Sequence, residues 1–171
     1  MTDLESGAII QAEVLPGDHA DPEALNERVA SALEVVNRLV AHKADRVVRS
    51  ITADKIYFAI EQIARIQQWN IRTVIGDPNA ARRRKEALDT RLRKALHRAA
   101  CAVKSQSGKA LLRQRGMHLE RSFEHILDEG GPRHATLKGT ENLAKRHKIA
   151  ATCFNLSLLL RTLVGVGTPK Q

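Results

Sequence analysis

The feature that most constrains this chain is an alternation, along its first 75 residues, of short β-branched runs with stretches of helical periodicity. Residues 7–14 read Gly-Ala-Ile-Ile-Gln-Ala-Glu-Val. This partly alternating run follows Glu5-Ser6-Gly7 and predicts a strand after a turn. If that turn closes a hairpin, residues 1–4 are the stub of the partner strand. Pro16-Gly17-Asp18 breaks the run, and Asp21-Pro22-Glu23 supplies a capping Asp and a proline at the first helical position. Leu25, Val29, Leu33, Val36, Leu39 and Val40 then recur at three- and four-residue spacing, so a helix with one apolar face is expected to about His42. A second β-branched run over 46–52 ends at Ala53-Asp54, and a second helix is expected over 58–68. Residues 71–75, Ile-Arg-Thr-Val-Ile, form a third short strand stopped by Gly76-Asp77-Pro78. Strand, helix, strand, helix, strand implies an α/β layer with a largely parallel sheet.

After Pro78 the chain becomes helical and basic. A helix is expected over 80–104, interrupted by Ser105-Gln106-Ser107-Gly108, then another over 109–127 and a last one over 140–164. Aromatic residues are only 3% of the chain, so the core must be built from Leu, Ile, Val and Ala, which favours helix packing over an aromatic-rich sandwich. Residues 1–80 carry 8 Lys/Arg against 12 Asp/Glu, whereas residues 81–171 carry 20 against 7. So uneven a distribution points the second half at a polyanion, most commonly nucleic acid; the plain alternative is a solvated basic helix. The 171 residues are the size of one domain. Cys101 and Cys153 are far apart and outside any metal-ligand spacing, as expected of buried or free thiols in a reducing cytoplasm. Residues 1–5 show no signal-peptide pattern. The apolar stretch 149–166 is broken by Asn155, Ser157 and Arg161, so a buried helix is expected there and no membrane span.

Two acidic residues stand where chemistry could be placed. Asp54 falls at the end of a short strand and the start of a helix, and the carboxyl ends of parallel strands are where ligands gather. Its ordinary reading is a helix cap. Glu120 lies on a helix whose apolar stripe is Leu112, Leu119, Phe123, Ile126 and Leu127, so it is expected to border the buried face, among Arg115, Arg121 and Glu124. Its ordinary reading is a half-exposed Glu paired with neighbouring Arg. His118-Leu119-Glu120 has no accompanying Pro-Cys-x-x-Cys, and no His-Glu-x-x-His, Gly-x-Ser-x-Gly or Gly-rich phosphate loop occurs.

Ala53-Asp54-Lys55-Ile56-Tyr57 resembles the Ala-Asp-Lys-Gly-Tyr box around the second catalytic acid of bacterial insertion-sequence DDE transposases. The run from Arg115 through Gly116, His118, Glu120 and Arg121 to Phe123 is similar to the box around their third acid. Gly130-Gly131-Pro132-Arg133, Leu137-Lys138-Gly139, Glu141-Asn142, Lys145-Arg146 and Phe154-Asn155-Leu156 follow in the family's order. The opening residues 3–10 and Pro16-Gly17-Asp18 resemble its β-hairpin region, so the resemblance spans essentially the whole chain.

The resemblance implies an RNase H-like fold and Mg²⁺-dependent cleavage and joining of DNA at the ends of a mobile element. Clustered carboxylates suit hard divalent cations that activate one phosphodiester oxygen and stabilise another. On that analogy Asp54 and Glu120 are metal ligands, Arg115 approaches the scissile phosphate, and Arg82, Arg83, Arg84, Lys85, Arg91, Arg93, Lys94 and Arg98 track the DNA backbone. Ile56 stands where the family has Gly, and a positive φ there would strain a β-branched residue. The resemblance also places the first catalytic Asp, and the central strand that carries it, ahead of Met1. The chain is therefore expected to be a C-terminal fragment with an incomplete sheet and no catalytic activity. The alternative is a non-catalytic DNA-binding protein that modulates a full-length transposase.

Overall fold

Ile51, Ile71, Val74 and Ile75 are all buried, as expected of strands covered by helices. The computed structural model describes residues 1–14, 25–40, 48–83, 87–129 and 137–165. Strands β1 (Ser50–Thr52) and β2 (Arg72–Val74) pair in parallel, with Ser50 opposite Arg72, Ile51 opposite Thr73 and Thr52 opposite Val74. Strands this short gain from side-chain help, and the Thr52 hydroxyl donates to the Val74 carbonyl at 3.0 Å. Helix α2 (Ile60–Gln68) connects them and buries Ile63, Ala64 and Ile66 at the i, i+1 and i+3 positions of one face. Ile63 and Ile66 are fully inaccessible, and burying each contributes about 1.5–3 kcal/mol.

The chain divides into two compact units, one of Ala20–Arg115 and one built from Met1–His19 with Gly116–Gln171. In the first, α1 (Leu25–Val40) contributes Leu25 and Val29 to a core shared with Phe58 and Ala99. A short helix α3 (Ala80–Arg83) follows the Asp77 turn, and α4 (Thr90–Lys104) places Ala95, Ala99 and Ala102 inward. Small residues at that spacing let α4 approach the sheet closely. Arg72 of β2 then reaches the end of α4, donating to the Ala102 carbonyl at 3.3 Å and to the Ser105 hydroxyl at 2.6 Å. A cation there complements the partial negative charge of a helix C-terminus.

Helix α5 (Gln106–Phe123) begins one residue after α4 and continues into a π-helical turn, Glu124–Glu129. In the second unit a turn at residues 4–6 is closed by an antiparallel bridge between Thr2 and Ile9, and Asp3 accepts from the Ser6 amide at 2.9 Å. Helix α6 (Thr140–Val164) ends at Gly165, whose φ of 73° is the left-handed stop that glycine adopts freely. The His125 and Phe154 rings lie 5.7 Å apart.

The described chain is mixed α/β and mostly helical, with a two-stranded parallel sheet. Several expectations need correction. The strand expected over 7–14 is a single bridge, because the Asn155 side chain occupies the backbone groups of Ile9 that a further strand partner would take. The helix expected over 80–104 breaks before Thr90, where Asp89 adopts an extended ψ of 149°. The Ser105–Gly108 interruption shrinks to Ser105, the rest belonging to α5. The apolar stretch expected to be buried in α6 is open along one face. The cap at Asp21, and Pro16-Gly17-Asp18, lie outside the described residues.

Candidate functional site

Helix α4 contains no acidic residue and five Lys/Arg side chains. Arg91, Lys94 and Arg98 flank its inward alanines while Arg93 and Lys104 lie opposite them, and all five are exposed. Arg91, Lys94 and Arg98 follow one another at i, i+3 and i+7, one stripe of an α-helix. Among the described residues no carboxylate pairs with any of these three. Arg93 donates to the Leu88 carbonyl at 3.3 Å. An open cleft of about 670 Å³ runs between this helix and the end of β2, with Arg72, His97, Arg98 and Cys101 among its walls. Cys101 lies 3.7 Å from His97 Nε2, one helical turn away. Neither Arg72 nor the cleft was singled out by sequence reasoning. The i, i+4 spacing of His97 and Cys101 was the one available signal.

The other basic candidates differ. Arg82 is exposed, whereas Arg83 is largely covered. The Arg83 Nε donates to Asp77 at 2.9 Å, and its guanidinium lies 5.4 Å from the Phe58 ring centre. That charge has partners within the fold. Arg84 and Lys85 lie outside the described residues.

Asp54 follows β1 and caps the single 3₁₀ turn Lys55–Tyr57, accepting from the Lys55 amide. The cap reading is thus observed. A second Asp54 oxygen lies 3.5 Å from the Arg115 guanidinium, so the structure brings together two of the sequence candidates. Ile56 is 62% exposed and is not among the described residues with positive φ, so its branched side chain fits an ordinary turn there without strain. Glu120 belongs to the other unit and is exposed on α5, not at the edge of a buried face as expected. The inward position is Ser122, two residues on and so round the helix from Glu120, 4% exposed, while Phe123 of the expected apolar stripe is 54% exposed. Among the described residues Glu120 has no ion pair. Cys101 and Cys153 are both free and exposed.

A magnesium centre needs several oxygen donors converging on one point. Among the described residues no three His, Cys, Asp or Glu side chains gather in that way. The groups beside Asp54 are the Arg115 guanidinium and the Lys55 amide, which are donors and cannot ligate a cation. The side chains as held here do not fit the group that the resemblance implies. No described helix is long and apolar enough to cross a membrane. Comparison of the chain with models of protein families, with curated proteins and with solved structures found no match.

Proposed function

We propose that this chain is a DNA-binding member of the insertion-sequence DDE transposase kind, built on an RNase H-like plan, that grips the phosphate backbone through α4 and does not cleave it as folded here. The observation that carries this reading is the exposed Arg91–Lys94–Arg98 stripe on a helix free of acidic residues. The stripe rises roughly 10 Å along the helix axis. That length allows contact with several phosphates, each displacing counterions and so contributing affinity that falls with salt. The ordered motifs around Asp54, Glu120 and Phe154-Asn155-Leu156 support the family assignment. The occupation of Asp54 by Arg115 supports the absence of cleavage.

The test is fluorescence anisotropy of a labelled duplex titrated with the full chain at low and moderate salt, together with a Mg²⁺-dependent nicking assay. Binding that weakens steeply with salt, with no nicking, is the expected result. Absence of binding even at low salt would overturn the DNA reading. Nicking abolished by Asp54→Ala would overturn the non-cleaving one.

A further inference from the structure

Helix α6 has two faces with different tasks. Ala151 and Phe154 are buried and Asn155 reaches the backbone of Ile9, so this face packs within its own unit. Opposite it, Ile149, Cys153, Leu156, Leu160 and Leu163 succeed one another at intervals of four, three, four and three. All five are exposed, with Ile149 at 65%, Leu156 at 52%, Leu160 at 50% and Leu163 at 73%. This is the a/d spacing of a helix that pairs with another helix. Leu159 and Val164 flank the seam and are also more than half exposed.

We propose that this seam docks against the same seam of a second copy of the chain, with the two helices antiparallel. A heptad seam is self-complementary, because its knobs and holes come from the same residues. Six apolar side chains left half or more open make a strip of roughly several hundred Å², at or above the largest patch a monomer ordinarily exposes. Two such strips together approach the roughly 1,000 Å² that a specific interface needs.

Charge favours a second copy and fixes its direction. From Ile149 to Val164 the only charged residue is Arg161, so two strongly basic chains can meet here without opposing charges in the seam. Lys145, Arg146 and Lys148 precede the seam. A parallel pair would set these clusters side by side. The antiparallel pair separates them and brings each towards the partner helix's C-terminus, where the partial charge is negative.

Analytical ultracentrifugation of the full chain across a wide concentration range tests the proposal. A reversible dimer is expected. Leu156→Glu with Leu160→Glu, both exposed and both replaced by a good helix former, should raise its dissociation constant about 1,000-fold. Circular dichroism should show helicity retained in that variant. A chain that is monomeric throughout, or a dimer indifferent to the double substitution, would overturn the proposal. Co-flotation of a monomer with phosphatidylglycerol vesicles would assign the strip to a bilayer surface instead. Antiparallel packing centred on Leu156 separates the two Cys153 residues by about 9 Å along the axis, beyond the roughly 7 Å that a disulfide spans. An oxidised dimer linked through Cys153 in a Cys101→Ser background would overturn the antiparallel arrangement.

Discussion

The Asn155 side chain pairs with the backbone of Ile9 across 146 residues, accepting from the Ile9 amide and donating to its carbonyl, both at 2.8 Å. The carboxamide does what a neighbouring strand would do, satisfying a donor and an acceptor that part-burial would otherwise leave costly. It ties the N-terminal turn to α6. Asn155→Ala removes both partners at once and is expected to cost about 1–3 kcal/mol. Urea unfolding measures the loss, and hydrogen exchange at the Ile9 amide should accelerate. Asn155→Asp keeps an acceptor for the amide but sets a carboxylate against the Ile9 carbonyl, so it should rescue little.

Gly108 sits where the first turn of α5 passes the last turn of α4. A Cβ at this position would stand 1.8 Å from the Ala102 carbonyl oxygen. The Ser105 hydroxyl bridges the junction, donating to that carbonyl at 2.7 Å and accepting from the Gly108 amide at 3.0 Å. Since the obstacle is backbone, Gly108→Ala is expected to fall at the upper end of the roughly 1–3 kcal/mol that overpacking costs, or beyond it. Thermal unfolding of this variant beside Gly116→Ala separates the causes. Gly116 has nothing near its would-be Cβ, and alanine there should stabilise the helix by up to about 1 kcal/mol.

What the sequence made legible follows from the range of the interactions involved. Helix α6 was readable to its ends, Thr140 and Val164, because glycines flank it on both sides. The β1–α2–β2 unit was readable because β-branched runs and a helical period are local signals. The single bridge at Thr2 and Ile9 was not, because the group that takes the place of a partner strand lies on α6. The open face of α6 was not readable either, since apolar residues fall on more than one side of that half of the helix and periodicity cannot say which side is covered. Of the candidate site, the cap at Asp54 was plain from its place between strand and helix. Its pairing with Arg115 joins residues 61 positions apart and leaves no local trace.

The Asp54–Arg115 pair predicts how this carboxylate responds to substitution. The Asp54 side chain is 59% exposed and that of Arg115 23% exposed, so the pair itself is worth little, under about 1 kcal/mol. The cap is worth more. Asp54→Ala should cost about 0.5–2 kcal/mol, while Asp54→Asn, which can still accept from Lys55, should cost clearly less. Arg115→Gln should change stability by less than about 1 kcal/mol. Chemical denaturation of the three variants checks this ordering, and an Asp54→Asn as damaging as Asp54→Ala would show that charge rather than capping holds the turn.

Arg83 and Arg98 should separate stability from DNA affinity. In the Arg83–Asp77 pair the side chains are 17% and 6% exposed, and Asp77 also accepts from the Asn79 amide at 2.8 Å. Removing Arg83 strands a covered carboxylate, so Arg83→Met is expected to lower stability by about 3 kcal/mol. The salt dependence of duplex binding should stay unchanged, because that guanidinium faces Asp77 and Phe58. Arg98 is exposed and has no carboxylate partner among the described residues. Arg98→Ala should leave stability within about 0.5 kcal/mol, since Ala suits a helix surface. Its effect should appear in the salt titration, where losing one phosphate contact makes the slope of log affinity against log salt shallower by about 0.9. Combining it with Lys94→Ala should roughly double that change if the two side chains grip separate phosphates.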